Sequence, residues 1–464
     1  MVTRRSFLST VPAGLVARTV VAAPRSQSPT HAPWLAPYLE DVRRLIEAGT
    51  STTFAWDRLA ELCDTFGGRL TGSRNLELAT AWAADTMRTD GFAQVRLQKT
   101  MGPQWVRGAE SLDIVEPVPS PLVLLGLGGS VGTPPDGITA PLLIVRSFDE
   151  LNARAGEARG RIVLFDVPYT NYGQTVSYRA TGAANAARHG AVAALVRAVG
   201  PMGLRTPHTG SLTYVAGTPS IPAAAIPIED VQRLSRLVSR KVQVTLRLRM
   251  DAATRADVET ANVIGELTGR ERPEEIVLLG GHFDSWDAAT GASDDGVGCI
   301  VTWEAARLIR SLGLTPRRTI RVVLFTNEEN GLRGAMAYRD AYLADAARHV
   351  LALESDTGVF EPMRLGFSGN DRARRVMTDV VELLSPLGFP ALGPGGGGAD
   401  IGPIAQAGHV PAMALHGDPT RYFQIHHTPA DVPERIDPKE AAKAAAGIAV
   451  VAWLAAEMEQ PLPR

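Results

Sequence analysis

The sequence predicts an α/β protein, a largely parallel sheet covered by helices and interrupted by a smaller α/β unit. Three observations predict it. From Thr260 onward, short apolar runs alternate with helix-like stretches, the pattern of a doubly covered parallel sheet. Residues from about 115 to 250 carry a strand and helix order of their own, entered through Pro- and Gly-rich text between Glu116 and Gly137. The chain has 464 residues, 45% hydrophobic and 21% charged, which is globular composition with room for two domains.

Composition also excludes several classes. Lys+Arg 47 against Asp+Glu 49 leaves no basic footprint for nucleic acid and no polybasic membrane patch. Two cysteines rule out a disulfide scaffold, and two buried free thiols are expected at Cys63 and Cys299. No uncharged apolar run reaches the roughly 18 residues of a spanning helix.

The elements follow in order. Residues 1–23 contain Thr3-Arg4-Arg5-Ser6-Phe7-Leu8, a weakly apolar segment and then Val21-Ala22-Ala23, which reads as a twin-arginine export signal with periplasmic or secreted destination. Residues 33–112 form the first part of a catalytic domain, and 35–100 read as helices with a break at 66–73. Residues 113–252 form the inserted unit, with strands at 142–146, 161–167, 192–197 and 242–248 and a helix over 178–189. Residues 253–464 complete the catalytic domain, with strands at 276–280, 319–325 and 350–353 and helices at 297–312 and 332–343.

Each of those later strands ends in chemistry-bearing residues. Strand 276–280 runs into His282 and Asp284, and Asp294-Asp295 opens the next helix. Strand 319–325 runs into Glu328-Glu329, and strand 350–353 into Glu354 and Asp356. His426-His427-Thr428-Pro429-Ala430-Asp431 comes near the end. Singly, each is weak: Asp294-Asp295 reads as a helix cap, and His-x-Asp as a surface polar pair. Together, at successive sheet edges, they point to one metal centre. Imidazole and carboxylate donors without cysteine suit catalytic Zn²⁺, and manganese or cobalt fit the same donors. The donors are too many for one ion and suffice for two if one carboxylate bridges.

The text GGHFDSWDAATGASDDGVG, FTNEENG, ESDTG and HHTPAD resembles the co-catalytic dizinc exopeptidases, the family of aminopeptidases and glutamate-type carboxypeptidases. The resemblance spans roughly residues 35–460. It implies the zinc-exopeptidase fold with an inserted protease-associated (PA) domain. It implies that His282 and Asp356 bind one zinc, Glu329 and His427 the other, and that Asp294 bridges them. His427 is chosen over His426 because the family's ligand precedes Ser or Thr, here Thr428. Asp284 is then the carboxylate that orients His282, and a cis peptide joins Asp294 to Asp295. Glu328 becomes the general base that takes a proton from the attacking water and gives it to the leaving amine. Several relatives carry an oxyanion-donating tyrosine near this last ligand or in a nearby loop. Here His426 precedes the ligand, as a hydrogen-bond donor to the tetrahedral intermediate or as a filler of the turn. Asp400 matches a loop near the substrate, as a structural residue or a substrate contact.

The expected function is exported, zinc-dependent hydrolysis of dipeptides or short peptides, with a homodimer as a hypothesis by resemblance. The alternatives are a catalytically silent receptor-like protein and an aminoacyl cyclase of the glutaminyl type on the same fold. His409 and His416 sit in apolar text and are left outside the site.

Overall fold

The computed structural model describes residues 31–201 and 203–464, so the segment read as an export signal lies outside the described residues. Helices Leu39–Thr50, Phe54–Phe66 and Arg74–Thr89 come first. The helical run expected to residue 100 ends at Thr89, and Ala93–Val106 is a strand, β1. A long antiparallel partner over residues 253–266 decides what local propensity left open.

The next eight strands make a sheet of their own. They are β2 (Glu110–Glu116), β3 (Ser120–Leu122), β4 (Leu125–Gly126), β5 (Ile138–Val145), β6 (Ile162–Phe165), β7 (Ala193–Arg197), β8 (Ala223–Ile226) and β9 (Thr245–Met250). Their order is β3-β2-β9-β5-β6-β7-β8-β4, parallel from β5 to β8. The four expected strands are β5, β6, β7 and β9; β2, β3, β4 and β8 are additions. Helix Tyr172–Arg188, longer than expected, connects β6 to β7.

The chain then returns to the first sheet through β10 (Ala253–Leu267), β11 (Arg272–His282), β12 (Arg318–Phe325), β13 (His349–Ser355), β14 (Arg364–Ser368), β15 (Gly393–Pro394) and β16 (Ala412–His416). Its order is β1-β10-β12-β11-β13-β16-β14-β15. β12, β11, β13 and β16 run parallel, whereas β10 and β14 pair antiparallel. The sheet is therefore mixed, parallel through its middle and again where β15 joins β14 at one edge. All eight residues of β12 are buried, as a doubly covered strand requires.

Helices Val297–Ser311 and Pro438–Glu457 pack in the core of one face. Helices Arg333–Tyr342 and Gly402–Gly408 cover the other. The C-terminal helix is apolar around most of its circumference and buried accordingly. Cys63 and Cys299 are both free and buried. Among the described residues, no helix is long and apolar enough to cross a membrane.

Arg69 ties the first segment to the sheet. Its guanidinium, fully buried, donates to the carbonyls of Phe283 (2.9 Å), Gly67 (3.0 Å), Thr290 (2.5 Å) and Gly291 (3.1 Å). Its backbone N–H donates to Ser285 Oγ at 3.0 Å. Five planar donors in one fork hold the loop that leaves β11. Arg69→Met strips these carbonyls of their donors and is expected to cost about 3 kcal/mol or more of stability. Calorimetry reads it, and an unchanged melting temperature would show that water replaces the guanidinium.

Candidate metal centre

Three parallel strands deliver the site to one edge. β11 ends at His282; β12 ends at Phe325, just before Glu328-Glu329; β13 ends at Ser355, just before Asp356. This carboxyl edge is where open α/β sheets bind ligands. Asp294 sits in the tight turn Ala292–Gly296 between β11 and helix Val297–Ser311, and its peptide bond to Asp295 is cis. The helix-cap role that this pair suggests is not taken: Gly296 is the N-cap, with no side-chain cap bond. Instead Asp295 Oδ2 accepts the backbone N–H of His282 at 3.1 Å. A Cβ at Gly298 would stand 1.9 Å from the Ser355 carbonyl and 2.2 Å from Asp295 Oδ1, so only glycine fits there.

Asp294 lies between two imidazole–carboxylate pairs. His282 Nε2 is 3.2 Å from Asp294 Oδ1 and 3.3 Å from Asp356 Oδ1. His427 Nε2 is 3.0 Å from Asp294 Oδ2 and 3.1 Å from Glu329 Oε2. Asp294 Oδ2 is buried and has no hydrogen-bond partner. His282 Nδ1 lies 2.9 Å from the Asp284 carbonyl, which can only accept. Nδ1 therefore carries a proton, and Nε2 is the nitrogen that faces the carboxylates. His427 Nδ1 lies between the Thr209 carbonyl at 3.3 Å, an acceptor, and the Arg179 guanidinium at 3.2 Å, a donor. An orphaned carboxylate oxygen with two imidazole Nε2 atoms and two further carboxylates around it is a donor set that fits metal cations once the imidazoles are neutral.

The role expected of Asp284 changes. It orients His282 with its carbonyl, not its carboxylate. The carboxylate accepts the N–H groups of Glu328 (3.0 Å) and Glu329 (3.3 Å), and the Thr71 hydroxyl at 3.4 Å. It sets the loop that carries both glutamates. Asp431 does the same for Asp294, accepting the N–H groups of Ser293 (2.7 Å) and Asp294 (3.1 Å). Glu354 accepts those of Asp400 (3.1 Å) and Ile401 (2.7 Å). Asp400 is itself fully buried behind Glu354, not on an open cleft wall, and both its carboxylate oxygens lack partners.

Burial dominates the electrostatics. It pushes the Glu328 carboxyl well above the usual range. Burial, helped by Asp294, lifts Glu329 to about 7, and burial lifts Glu354 and Asp431 to about 7 as well. Burial would lower His282 and His427, but facing carboxylates hold both well above an ordinary histidine. Asp294 goes the other way: burial opposes it, yet the imidazoles of His426, His282 and His427 hold it low.

The second sheet's unit also reaches the site, through residues that sequence reasoning did not single out. Ser211 Oγ donates to the Glu329 carbonyl (2.8 Å), and Thr209 N–H to the His427 carbonyl (2.9 Å). Arg179 Nη1 lies 3.2 Å from His427 Nδ1, and His208 Nε2 lies 3.2 Å from His426 Nδ1. Their only sequence signal is a histidine in a Pro- and Gly-containing loop. His426 Nε2 is 3.4 Å from Asp294 Oδ2, within the cluster. His416 bonds the Gly395 carbonyl, and His409 ends helix Gly402–Gly408.

The profile of Peptidase family M28 matches residues 262–452. Carboxypeptidase Q of Homo sapiens is 44% identical over 416 residues, 90% of this chain and 88% of that protein. The chain belongs to peptidase family M28. It is a metallo-exopeptidase. The crystal structure of a peptidase M28 precursor from Shewanella amazonensis SB2B superposes with a TM-score of 0.88 at 34% identity, covering 92% of this chain and 99% of that one. The zinc aminopeptidase BSAP of Bacillus subtilis shares the fold, with a TM-score of 0.67 at 23% identity over 88% of this chain and 96% of its own.

Two outcomes are expected of this M28 centre. Asp284→Asn leaves one acceptor oxygen for two N–H groups and should cut activity about 10- to 100-fold by loosening the glutamate loop. Steady-state kinetics would show it, and wild-type rates would contradict it. In metal-free protein, Glu329, Glu354 and Asp431 titrate near 7 when folded but about 4 when unfolded. The folded state then binds more protons, so their stabilisation is full below about pH 4 and is lost as pH rises through about 7. The melting temperature of chelator-treated protein should fall between pH 5 and 7.5; a rise over that interval would contradict it.

Proposed function

We propose that this M28 peptidase is an exported, zinc-dependent exopeptidase acting on dipeptides or short peptides. One observation carries the reading: the Asp294 carboxylate turns one oxygen to His282 and Asp356 and the other to His427 and Glu329. That arrangement supports two zinc ions, with His282 and Asp356 holding one, His427 and Glu329 the other, and Asp294 both. Manganese or cobalt would fit the same donors. The bound metal supplies a Lewis acid for the scissile carbonyl and an acidified water.

Glu328 is the general base. It is the glutamate of the pair that faces no imidazole nitrogen in the cluster, and it lies within electrostatic reach of His282, Asp356 and Glu329. Its carboxyl takes the proton of the attacking water and returns it to the leaving amine. Burial raises its proton affinity, which favours holding that proton between the two steps. His426 directs Nε2 at the cluster and serves as hydrogen-bond donor to the developing oxyanion. Asp284 positions the base through the Glu328 N–H. Asp400 acts from behind Glu354 and does not touch substrate.

The domain reading goes with this. Residues 33–112 and 253–464 form the catalytic domain, residues 113–252 a PA-like insertion, and residues 1–23 a twin-arginine signal. A homodimer is the proposed assembly.

Glu328→Gln should lower kcat about 100-fold or more and keep its zinc. Metal analysis beside dipeptide hydrolysis checks both, and retained activity in a folded, zinc-loaded variant would remove Glu328 as the base. A panel of free and end-blocked dipeptides and longer peptides tests the substrate class. No cleavage by zinc-loaded protein would move the substrate to another amide.

A further inference from the structure

We propose that His208, from the second sheet's unit, is a positioning residue that fixes the tautomer of His426 so that its Nε2–H faces the reacting carbonyl oxygen. The proposal rests on the peptidase reading above.

The two rings meet nitrogen to nitrogen, His208 Nε2 to His426 Nδ1 at 3.2 Å, so one must donate and the other accept. The far nitrogen of His208 decides which. His208 is 2% exposed, and its Nδ1 has no hydrogen-bond partner. A proton there would be a buried donor with nothing to bond, whereas a lone pair there is the milder loss. The proton therefore sits on His208 Nε2 and is donated to His426 Nδ1. A neutral His426 must then carry its own proton on Nε2, the nitrogen 3.4 Å from Asp294 Oδ2.

The surroundings keep the pair neutral and fixed. Both rings are enclosed, His208 at 2% and His426 at 6% exposure, and the Arg179 guanidinium lies beside them on His427. His427 stacks on His426 with centroids 3.7 Å apart, and the Tyr172 ring meets His426 and His208 edge-on at 5.1 and 6.1 Å. Thr209, the next residue, is anchored at both ends: its N–H on the His427 carbonyl (2.9 Å), its hydroxyl on the Gly126 carbonyl (2.8 Å). A Cβ at Gly210 would come 2.8 Å from His427 Nδ1, so the backbone passes the site at its closest.

The test uses zinc-loaded protein of full length. His208→Leu removes the donor and is expected to lower kcat about 10- to 100-fold, KM and zinc content holding, as for a weakened oxyanion donor. His208→Gln offers an amide N–H and should recover most of that loss. Equal damage in both variants, or a change confined to KM, would overturn the proposal. Nitrogen-15 NMR of histidine-labelled protein reads the tautomer without substrate: Nε2–H at His426 in the wild type, a mixture in His208→Leu. Nδ1–H in the wild type would overturn the proposal. Nε2–H in a wild type that cleaves no peptide supports the positioning by His208 and rejects the peptidase reading alone.

Discussion

Like charges crowd the carboxyl edge of the first sheet, and the local architecture answers to that repulsion. Nine acidic side chains gather there: Asp284, Asp294, Asp295, Glu328, Glu329, Glu354, Asp356, Asp400 and Asp431. Eight have carboxyl groups raised, first of all by burial; Asp294 alone is lowered. Backbone N–H groups relieve part of the load, two each on Asp284, Asp431 and Glu354 and one on Asp295. Asp294 and Asp356 instead face imidazole nitrogens, and Glu329 does both, one oxygen toward His427 and the other accepting the Trp286 N–H at 3.2 Å. One residue type thus divides into carboxylates that shape loops and carboxylates left for a cation. Removing an N–H partner from the first kind disturbs the second, because the loops are shared.

The second half of the sheet was legible because its strands are continuous apolar runs with short connections, and each ends in its acidic or histidine cluster. The clusters that hold His282, Glu329, Asp356 and His427 could be gathered into one site from that pattern, whereas the choice of Glu329 over Glu328 and of His427 over His426, and the cis bond at Asp294, came with the family resemblance. β1 was not legible. Ala93–Val106 mixes Gln, Arg and Lys with scattered apolar residues, and its strand form depends on β10, far away in the chain. Asp284 was read correctly as a neighbour of His282 and wrongly in its working atoms. A sequence shows a residue type; whether carbonyl or carboxylate faces a ring depends on backbone direction. His208 and Arg179 left no local trace, because their partners lie across the fold, on a loop more than two hundred residues later.

The strap at residues 208–211 changes what the second unit means for this enzyme. Ser211 holds the backbone of Glu329, and Thr209 holds that of His427, on either side of Asp294. The two sheets are therefore not independent bodies joined by linkers; the smaller one clamps two of the loops around the centre. Arg69 supplies the matching restraint from the helical start, on the loop after β11. The site is held by two stretches, Arg69 and residues 208–211, that lie far from one another in the chain.

That arrangement dictates an order of events at the ribosome. β1 is made early, but its partner β10 appears only after the whole second unit has emerged, and His427 comes later still. Until then residues 93–106 lack the partner that makes them a strand. The nested insertion thus makes a slow, non-local closure a late stage of folding, and the centre becomes complete only once His427 has joined the strands made before it.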